Sequence, residues 1–376
     1  MDSIEKRILK SSKRIVVKVG SSLIISSVTG KVNTNILDFI VEDIRSLIRK
    51  GKEVMLVSSG ALALGKNKLG IEGKHLKISD KQAAASVGQI ILINAWEKVF
   101  SKNKMGCAQI LLTHLDAEIR KSSINARNTI ESLIKLNIIA IINENDTVAT
   151  KELRYGDNDQ LAARVAQITS SDLLILMSDV DGLYEENPIK NPNAMLLKKI
   201  VKIDKSIESI SHNTSSSVSV GGMETKIKAA KISMASGCNM VITKGSDKKS
   251  ISDLERGKKA TWFIANTSPK SARKKWISSQ MSATANIIID KGAANALKKG
   301  ASLLPAGILS INGFFEKGDV INVIDEKENV VSVGLAAYAS KDVKLIAGSK
   351  SNEIEKLLGY HDKDVIIHRD DMVLRS

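Results

Sequence analysis

The sequence predicts an α/β protein: a three-layer α/β/α sandwich around a mostly parallel sheet, followed by a small mostly-β domain. Three observations carry this expectation. Up to about residue 264, short apolar runs alternate with segments of helical period, as expected of strands covered on both faces with crossover helices between them. From 266 to 283 the texture shifts to Ser, Lys and Arg, including Arg273-Lys274-Lys275, which reads as a linker with Trp276 docked against a neighbouring surface. Beyond 284 the pattern becomes short strands split by Gly307, Gly313 and Gly318, with one short helix over 293–299. The expected domains are therefore 1–265 and 284–376, joined by 266–283.

Within the first domain, strands are expected at 14–19, 53–57, 107–111, 138–142, 173–177 and 239–243. Helices are expected at 35–49, 79–100, 122–136, 158–168 and 223–236. Gly51 and Gly237 follow two of these helices, where a left-handed stop is easiest for glycine. The Ser-rich stretch 211–219 reads as a loop. Open parallel sheets collect ligands beyond the carboxyl ends of their strands, and the glycine- and acid-bearing loops fall at those ends.

Composition bounds the function classes. The chain has 376 residues, 43% hydrophobic and 26% charged, enough for two packed domains. Its start lacks an apolar signal-peptide core, its longest apolar runs are far too short to span a bilayer, and its two cysteines, Cys107 and Cys238, imply no disulfide framework. A reducing cytoplasm is the expected location. The net charge is +15, yet residues 281–376 hold 10 Lys and 2 Arg against 8 Asp and 5 Glu, a net of −1, so the rest carries +16. A nucleic-acid module shows a concentrated basic footprint, which the C-terminal segment lacks. The excess in the first domain suits either scattered solvated lysines or a field that favours anionic substrates.

The chemistry-bearing segments each have a plainer reading. Lys18 ends the apolar run before Gly20-Ser21-Ser22. Alone it reads as a solvated strand-end lysine, but the glycine after it lets backbone N–H groups approach an anion. Ser58-Ser59-Gly60 reads as a helix cap, as a second loop at the same sheet edge, or as both. Gly60 to Lys66 matches the Walker A spacing, but Asn67 replaces the required Ser or Thr and Ala-Leu-Ala-Leu is a poor phosphate cradle, so the match is rejected. Asn143-Glu144-Asn145-Asp146 forms an Asx-rich turn or places Asp146 against a substrate ammonium. Asp157-Asn158-Asp159 supplies more than one cap needs. Ser178-Asp179 follows the strand at 173–177 and suits a turn or a nucleotide-facing loop. Gly221-Gly222 precedes a helix start, a ready phosphate site, with Lys226 about one turn inside. A carboxylate at 159 able to hold Lys18 and Lys226 among glycine-lined loops suits phosphoryl transfer, which asks a protein mainly for position and positive charge.

Val17-Lys18-Val19-Gly20-Ser21, Val57-Ser58-Ser59-Gly60-Ala61, Ile142-Asn143-Glu144-Asn145-Asp146, Gly156-Asp157-Asn158-Asp159, Asp181-Gly182-Leu183-Tyr184 and Gly221-Gly222-Met223-Glu224-Thr225-Lys226 resemble the glutamate 5-kinase family of the amino acid kinase superfamily. From near residue 282 the chain is similar to that family's C-terminal PUA domain, through Gly300 to Pro305, Gly307-Ile308 and His368 to Met372. The resemblance covers nearly the whole chain and implies the amino acid kinase fold. It also implies ATP-dependent phosphorylation of the γ-carboxylate of L-glutamate with Mg2+, the first step of proline biosynthesis.

Carried over residue by residue, the resemblance makes Lys18, Asp159 and Lys226 catalytic. It makes Ser59, Asp146 and Asn158 glutamate-binding, and places the nucleotide at Lys18, Ser178, Asp179 and Val220, Gly221, Gly222, Met223, Glu224, Thr225 and Lys226. Ser178 stands where the family often has Thr. Ser219-Val220 stands where it often has Gly-Thr, which removes a hydroxyl from the nucleotide loop and leaves its backbone. Family members are commonly homo-oligomers, dimers or tetramers, with glutamyl phosphate reductase as pathway partner. The alternatives are a kinase for aspartate, N-acetylglutamate or UMP, and an RNA-binding protein acting through the PUA domain. The last is disfavoured by the near-neutral C-terminal segment and by a chain only 3% aromatic.

Overall fold

The computed structural model describes residues 3–71, 76–148, 158–188, 190–213, 222–279 and 285–375; the side chains of 211–213 lie outside that description. The chain divides into two compact units, Met1–Pro269 and Lys270–Ser376.

The first unit is built on eight strands: β1 Arg14–Val19, β2 Glu53–Ser58, β3 Gly106–Leu112, β4 Ile138–Glu144, β5 Leu173–Ser178, β6 Lys199–Ile200, β7 Asn239–Lys244 and β8 Ala260–Phe263. Their order across the sheet is β3-β4-β2-β1-β5-β7-β8-β6. Each neighbouring pair is parallel except β7 with β8. Side chains alternate across a strand, and the central strands divide their apolar residues accordingly. Ile15, Val17, Val54, Leu56, Ile139, Ile141, Leu173 and Ile175 enter one core with the helices Thr34–Arg49 and Ile78–Lys102. Val16, Met55, Val57, Ala140, Ile142, Leu174 and Leu176 enter the other with Arg120–Lys135, Asn158–Ile168 and Met223–Ala235. The two cores on opposite faces are the three-layer sandwich.

The structure adds elements that periodicity does not show. β8 is four residues long and runs against β7, so it carries no crossover pattern. β3 lies at the sheet edge and buries only Leu112 fully, unlike the two-faced strands beside it. The segment with Walker A spacing is the helix Ala61–Leu69, entered through Gly60 at φ 110°. Gly65 and Gly88 are where that helix crosses Ile78–Lys102. A Cβ on Gly65 would stand 1.6 Å from the Ala84 carbonyl oxygen, and one on Gly88 would stand 1.8 Å from that of Ala61. The glycine of the apparent phosphate motif is thus a contact glycine between two helices. Among the described residues, no helix is long and apolar enough to cross a membrane.

The second unit holds β9 Asn286–Ile289, β10 Ile308–Asn312, β11 Val320–Ile324, β12 Val330–Leu335 and β13 Met372–Leu374, in the order β10-β9-β11-β12-β13. Its core gathers Ile287, Ile289, Leu297, Ile321, Val323, Tyr338 and Ile367. The stretch expected as a linker contains the helix Pro269–Ser279. Its Ile277 is fully buried against Val320, Val333 and Leu335, whereas Trp276 stays 41% exposed. Of the Ser-rich stretch 211–219 expected as a loop, 211–213 instead end the helix Lys205–Asn213, and 214–219 lie outside the described residues.

The helix crossing has a direct test. Replacing Gly88→Ala inserts a methyl group where backbone already sits, and overpacking of this kind typically costs about 1–3 kcal/mol. Urea denaturation of Gly88→Ala should show that loss; a stability equal to the parent's would show that the two helices can part freely.

Candidate active site

Lys18 lies on the β1 face that carries Val16, so its stem runs under the layer formed by Asn158–Ile168 and Met223–Ala235. Those two helices pack against one another and bury small residues in the same core, Ala162, Ala163 and Ala166 on one and Ala229 and Ala230 on the other. The close approach lets both first turns reach the same point. Asp159, with no exposed surface, binds Lys18 Nζ at 2.5 Å through Oδ1 and Lys226 Nζ at 3.1 Å through Oδ2. Thr225 Oγ1 donates to Oδ2 at 3.3 Å. Lys18 and Lys226 are 4% and 6% exposed. Burying charge is costly unless it is paired, and one carboxylate with an oxygen for each ammonium meets that requirement. The trio keeps a net single positive charge at the wall of a cavity.

That cavity has a volume of about 600 Å3 and opens over the carboxyl ends of β4, β2, β1 and β5. Its wall includes Lys18, Ser59, Asn143, Glu144, Asp146, Asn158, Ser178, Asp179 and Lys226. β4, β2 and β5 end in Glu144, Ser58 and Ser178, and β1 carries Lys18 one residue before its end, so the position is set by topology rather than by any single motif.

A hydrogen-bonded chain fixes the middle of the wall. The Glu144 N–H donates to Asn143 Oδ1 at 2.9 Å, which identifies that atom as the oxygen. Asn143 Nδ2 donates to Gln89 Oε1 at 2.6 Å. The atom of Asn158 facing Asn143 Oδ1 (2.6 Å) and the Ser58 carbonyl (2.8 Å) must then be its nitrogen. Both amide protons of Asn158 are spent on protein, so what it offers a ligand is its oxygen, an acceptor. Trp96 Nε1 donates to Ser58 Oγ at 2.8 Å and braces the same turn. Ser59 is not a helix cap, since Gly60 occupies that position. Its buried Oγ has no hydrogen-bond partner among the described residues, although it sits in the cavity wall. A hydroxyl there has its proton available to a group in the cavity.

Seven of the residues singled out from the sequence line this one cavity: Lys18, Ser59, Asp146, Asn158, Ser178, Asp179 and Lys226. Asp159 stands behind the lysines. Gly222, Met223, Glu224 and Thr225 lead into Lys226 without lining the cavity, and Glu224 forms a 2.7 Å ion pair with Lys228. Val220, Gly221 and the stretch Tyr155-Gly156-Asp157 lie outside the described residues. Sequence reasoning missed Gln89 and Trp96, which lie inside a long helix and give no local signal, and Lys66, which also lines the cavity. Among the described residues no three His, Cys, Asp or Glu side chains cluster as a metal site.

Comparison with known proteins locates the site in a lineage. Residues 13–244 match the model of the amino acid kinase family, and residues 285–358 match that of the PUA domain. The chain is 46% identical over 368 residues to the glutamate 5-kinase of Paramagnetospirillum magneticum, covering 98% of this chain and 99% of that protein. It is 46% identical over 372 residues to the glutamate 5-kinase of Agrobacterium fabrum, covering 99% and 95%. It is 46% identical over 368 residues to that of Brucella anthropi, covering 98% and 97%.

The shared carboxylate has a measurable structural role. Asp159→Ala leaves two buried ammonium groups without their counter-charge, and breaking a buried pair this way typically costs about 3–5 kcal/mol. Urea unfolding at neutral pH should show a loss of that order; an unchanged unfolding free energy would mean the lysines do not depend on Asp159.

Proposed function

The chain belongs to the amino acid kinase family, among its glutamate 5-kinases, and on that premise we propose that the cavity transfers the γ-phosphoryl group of ATP to the γ-carboxylate of L-glutamate. The product is glutamyl 5-phosphate, the acyl phosphate that begins proline biosynthesis. The observation that carries the site assignment is the convergence of Lys18 and Lys226 on Asp159 at the cavity wall.

The chemistry needs little from the protein beyond position and charge. The γ-carboxylate is already ionised, so no general base is required. One of its oxygens attacks the γ-phosphorus, the bond from that phosphorus to the bridging oxygen breaks, and ADP departs with the electron pair. The barrier comes from bringing two anions together and from charge spread over the moving phosphoryl group. Lys18 and Lys226 meet that charge from a preorganised, water-poor wall. Asp159 keeps the two ammonium groups side by side and never needs to exchange a proton.

Glutamate is held at the β4 and β2 ends of the cavity. Asp146 faces the substrate ammonium, and the Asn158 oxygen, the atom its bonding leaves available, accepts from the same group. Ser59 Oγ supplies a hydrogen bond to the reacting carboxylate. The nucleotide is held at the β5 end by Ser178 and Asp179 and by the segment from Val220 to Thr225 that leads into Lys226. Bound with ATP, Mg2+ would supply charge neutralisation at the phosphates, on the side of the wall where Ser178 and Asp179 stand.

Removing one preorganised contact to a developing charge costs about 10²–10³ in turnover. Lys226→Ala should lose turnover of that order in an ADP-release assay while its unfolding curve stays cooperative; parental turnover would overturn the assignment. N-acetylglutamate lacks the ammonium assigned to Asp146 and should be a poor acceptor. Equal efficiency on both acceptors would move the chain to a different acyl substrate.

A further inference from the structure

We propose that Lys66 holds the α-carboxylate of the amino-acid acceptor and thereby selects a free amino acid over one whose α-carboxyl is blocked. The inference rests on the acceptor assignment above and adds to it a residue that the sequence motifs leave in a rejected match.

Glutamate brings three charges into the cavity: two carboxylates and one ammonium. The cations in the described wall are Lys18, Lys66 and Lys226, and the anions are Glu144, Asp146 and Asp179. Lys18 and Lys226 share Asp159 on one side of the sheet, where the phosphoryl group transfers. Asp179 follows β5 on the nucleotide side. Glu144 ends β4 and Asp146 follows it, so a substrate whose ammonium sits there and whose γ-carboxylate reaches Lys18 must cross the end of β2. The helix Ala61–Leu69 starts at that end, and its Ala61 and Leu64 pack in the core on the opposite face from Asp159. Lys66 therefore reaches the cavity from the other layer, and the second carboxylate of the substrate meets a cation there rather than the phosphoryl lysines.

The position of Lys66 is held on both sides. Its neighbour Gly65 abuts the Ala84 carbonyl at the helix crossing. Its other neighbour, Asn67, donates from Nδ2 to the Gly30 carbonyl at 3.0 Å. The plainer account is that a lysine in the last turn of a helix complements the helix dipole. Lys68 occupies that same turn, is exposed and does not line the cavity, whereas Lys66 is half-buried and does. The dipole accounts for a cation near the end of this helix and does not distinguish the lysine that lines the cavity from the one that does not.

The test compares two acceptors in the parent, Lys66→Ala and Lys66→Arg. One acceptor is glutamate. The other is its α-amide, isoglutamine, which keeps the γ-carboxylate and the ammonium and loses only the α-charge. A hydrogen-bonded contact to a charged group corresponds to roughly a 10–100-fold change in affinity. Lys66→Ala should raise KM for glutamate by that factor, with kcat within a few-fold and KM for ATP unchanged, and Lys66→Arg should recover most of the loss. The parent should favour glutamate over isoglutamine by a similar factor, and Lys66→Ala should treat the two nearly alike. A parental KM in Lys66→Ala, a parallel rise in KM for ATP, or a preference for glutamate that survives the substitution would overturn the proposal while leaving the kinase reading intact. A parent that phosphorylates neither acceptor would overturn the acceptor assignment itself.

Discussion

One carboxylate with no surface of its own holds the active cavity together. Two buried ammonium groups repel one another and are costly to desolvate, and Asp159 answers both problems by giving each lysine one oxygen. The partners come from β1, from the helix that starts at Asn158 and from the helix that starts at Met223. Three segments distant in sequence can meet only if the sheet fixes β1 and the two helices pack closely beside it. The small buried residues of those helices, Ala162, Ala163, Ala166, Ala229 and Ala230, suit that close packing, which the pairing of Lys226 with Asp159 requires.

Around that centre, charge is distributed by layer. Lys18 and Lys226 belong to the face of Asn158–Ile168 and Met223–Ala235, while Ala61–Leu69 and Ile78–Lys102 approach from the opposite face. The strand ends between them carry Ser59, Asn143 and Asp146. The bond from Asn143 to Gln89 ties the two layers across the sheet edge, and its consequence is chemical: it turns the Asn158 oxygen into the one group that side chain can present. Rigid placement of this kind is what a phosphoryl transfer without a general base requires, because the transition state is stabilised by charges already in position.

The sequence carried the parallel strands well because each is a short apolar run with both faces buried, as at 173–177. It carried Lys18, Asp159 and Lys226 because unusual residue types stand beside glycines at strand and helix ends, and because those segments resemble a known family. It was silent on β8, whose four residues run antiparallel to β7 and have no crossover helix to announce them. It rejected the phosphate motif at Gly60 to Lys66 on its residue types but gave Gly65 no other role, because spacing alone does not show whether a glycine clears room for an anion or for another helix. Gln89 and Trp96 were invisible because their partners, Asn143 and Ser58, lie 54 and 38 residues away with no periodic relation to them. Contacts of that range are decided by packing, and single-sequence patterns do not record them.

The central claim is that two lysines far apart in the chain act as one unit on the transferring phosphoryl group. A kinetic cycle of Lys18→Met, Lys226→Met and the double variant, with glutamate and ATP saturating, tests it most directly. Groups that work as a unit are strongly non-additive, so the double variant should fall little further than the worse single one. Losses that multiply, or a single variant that keeps parental kcat, would contradict the account.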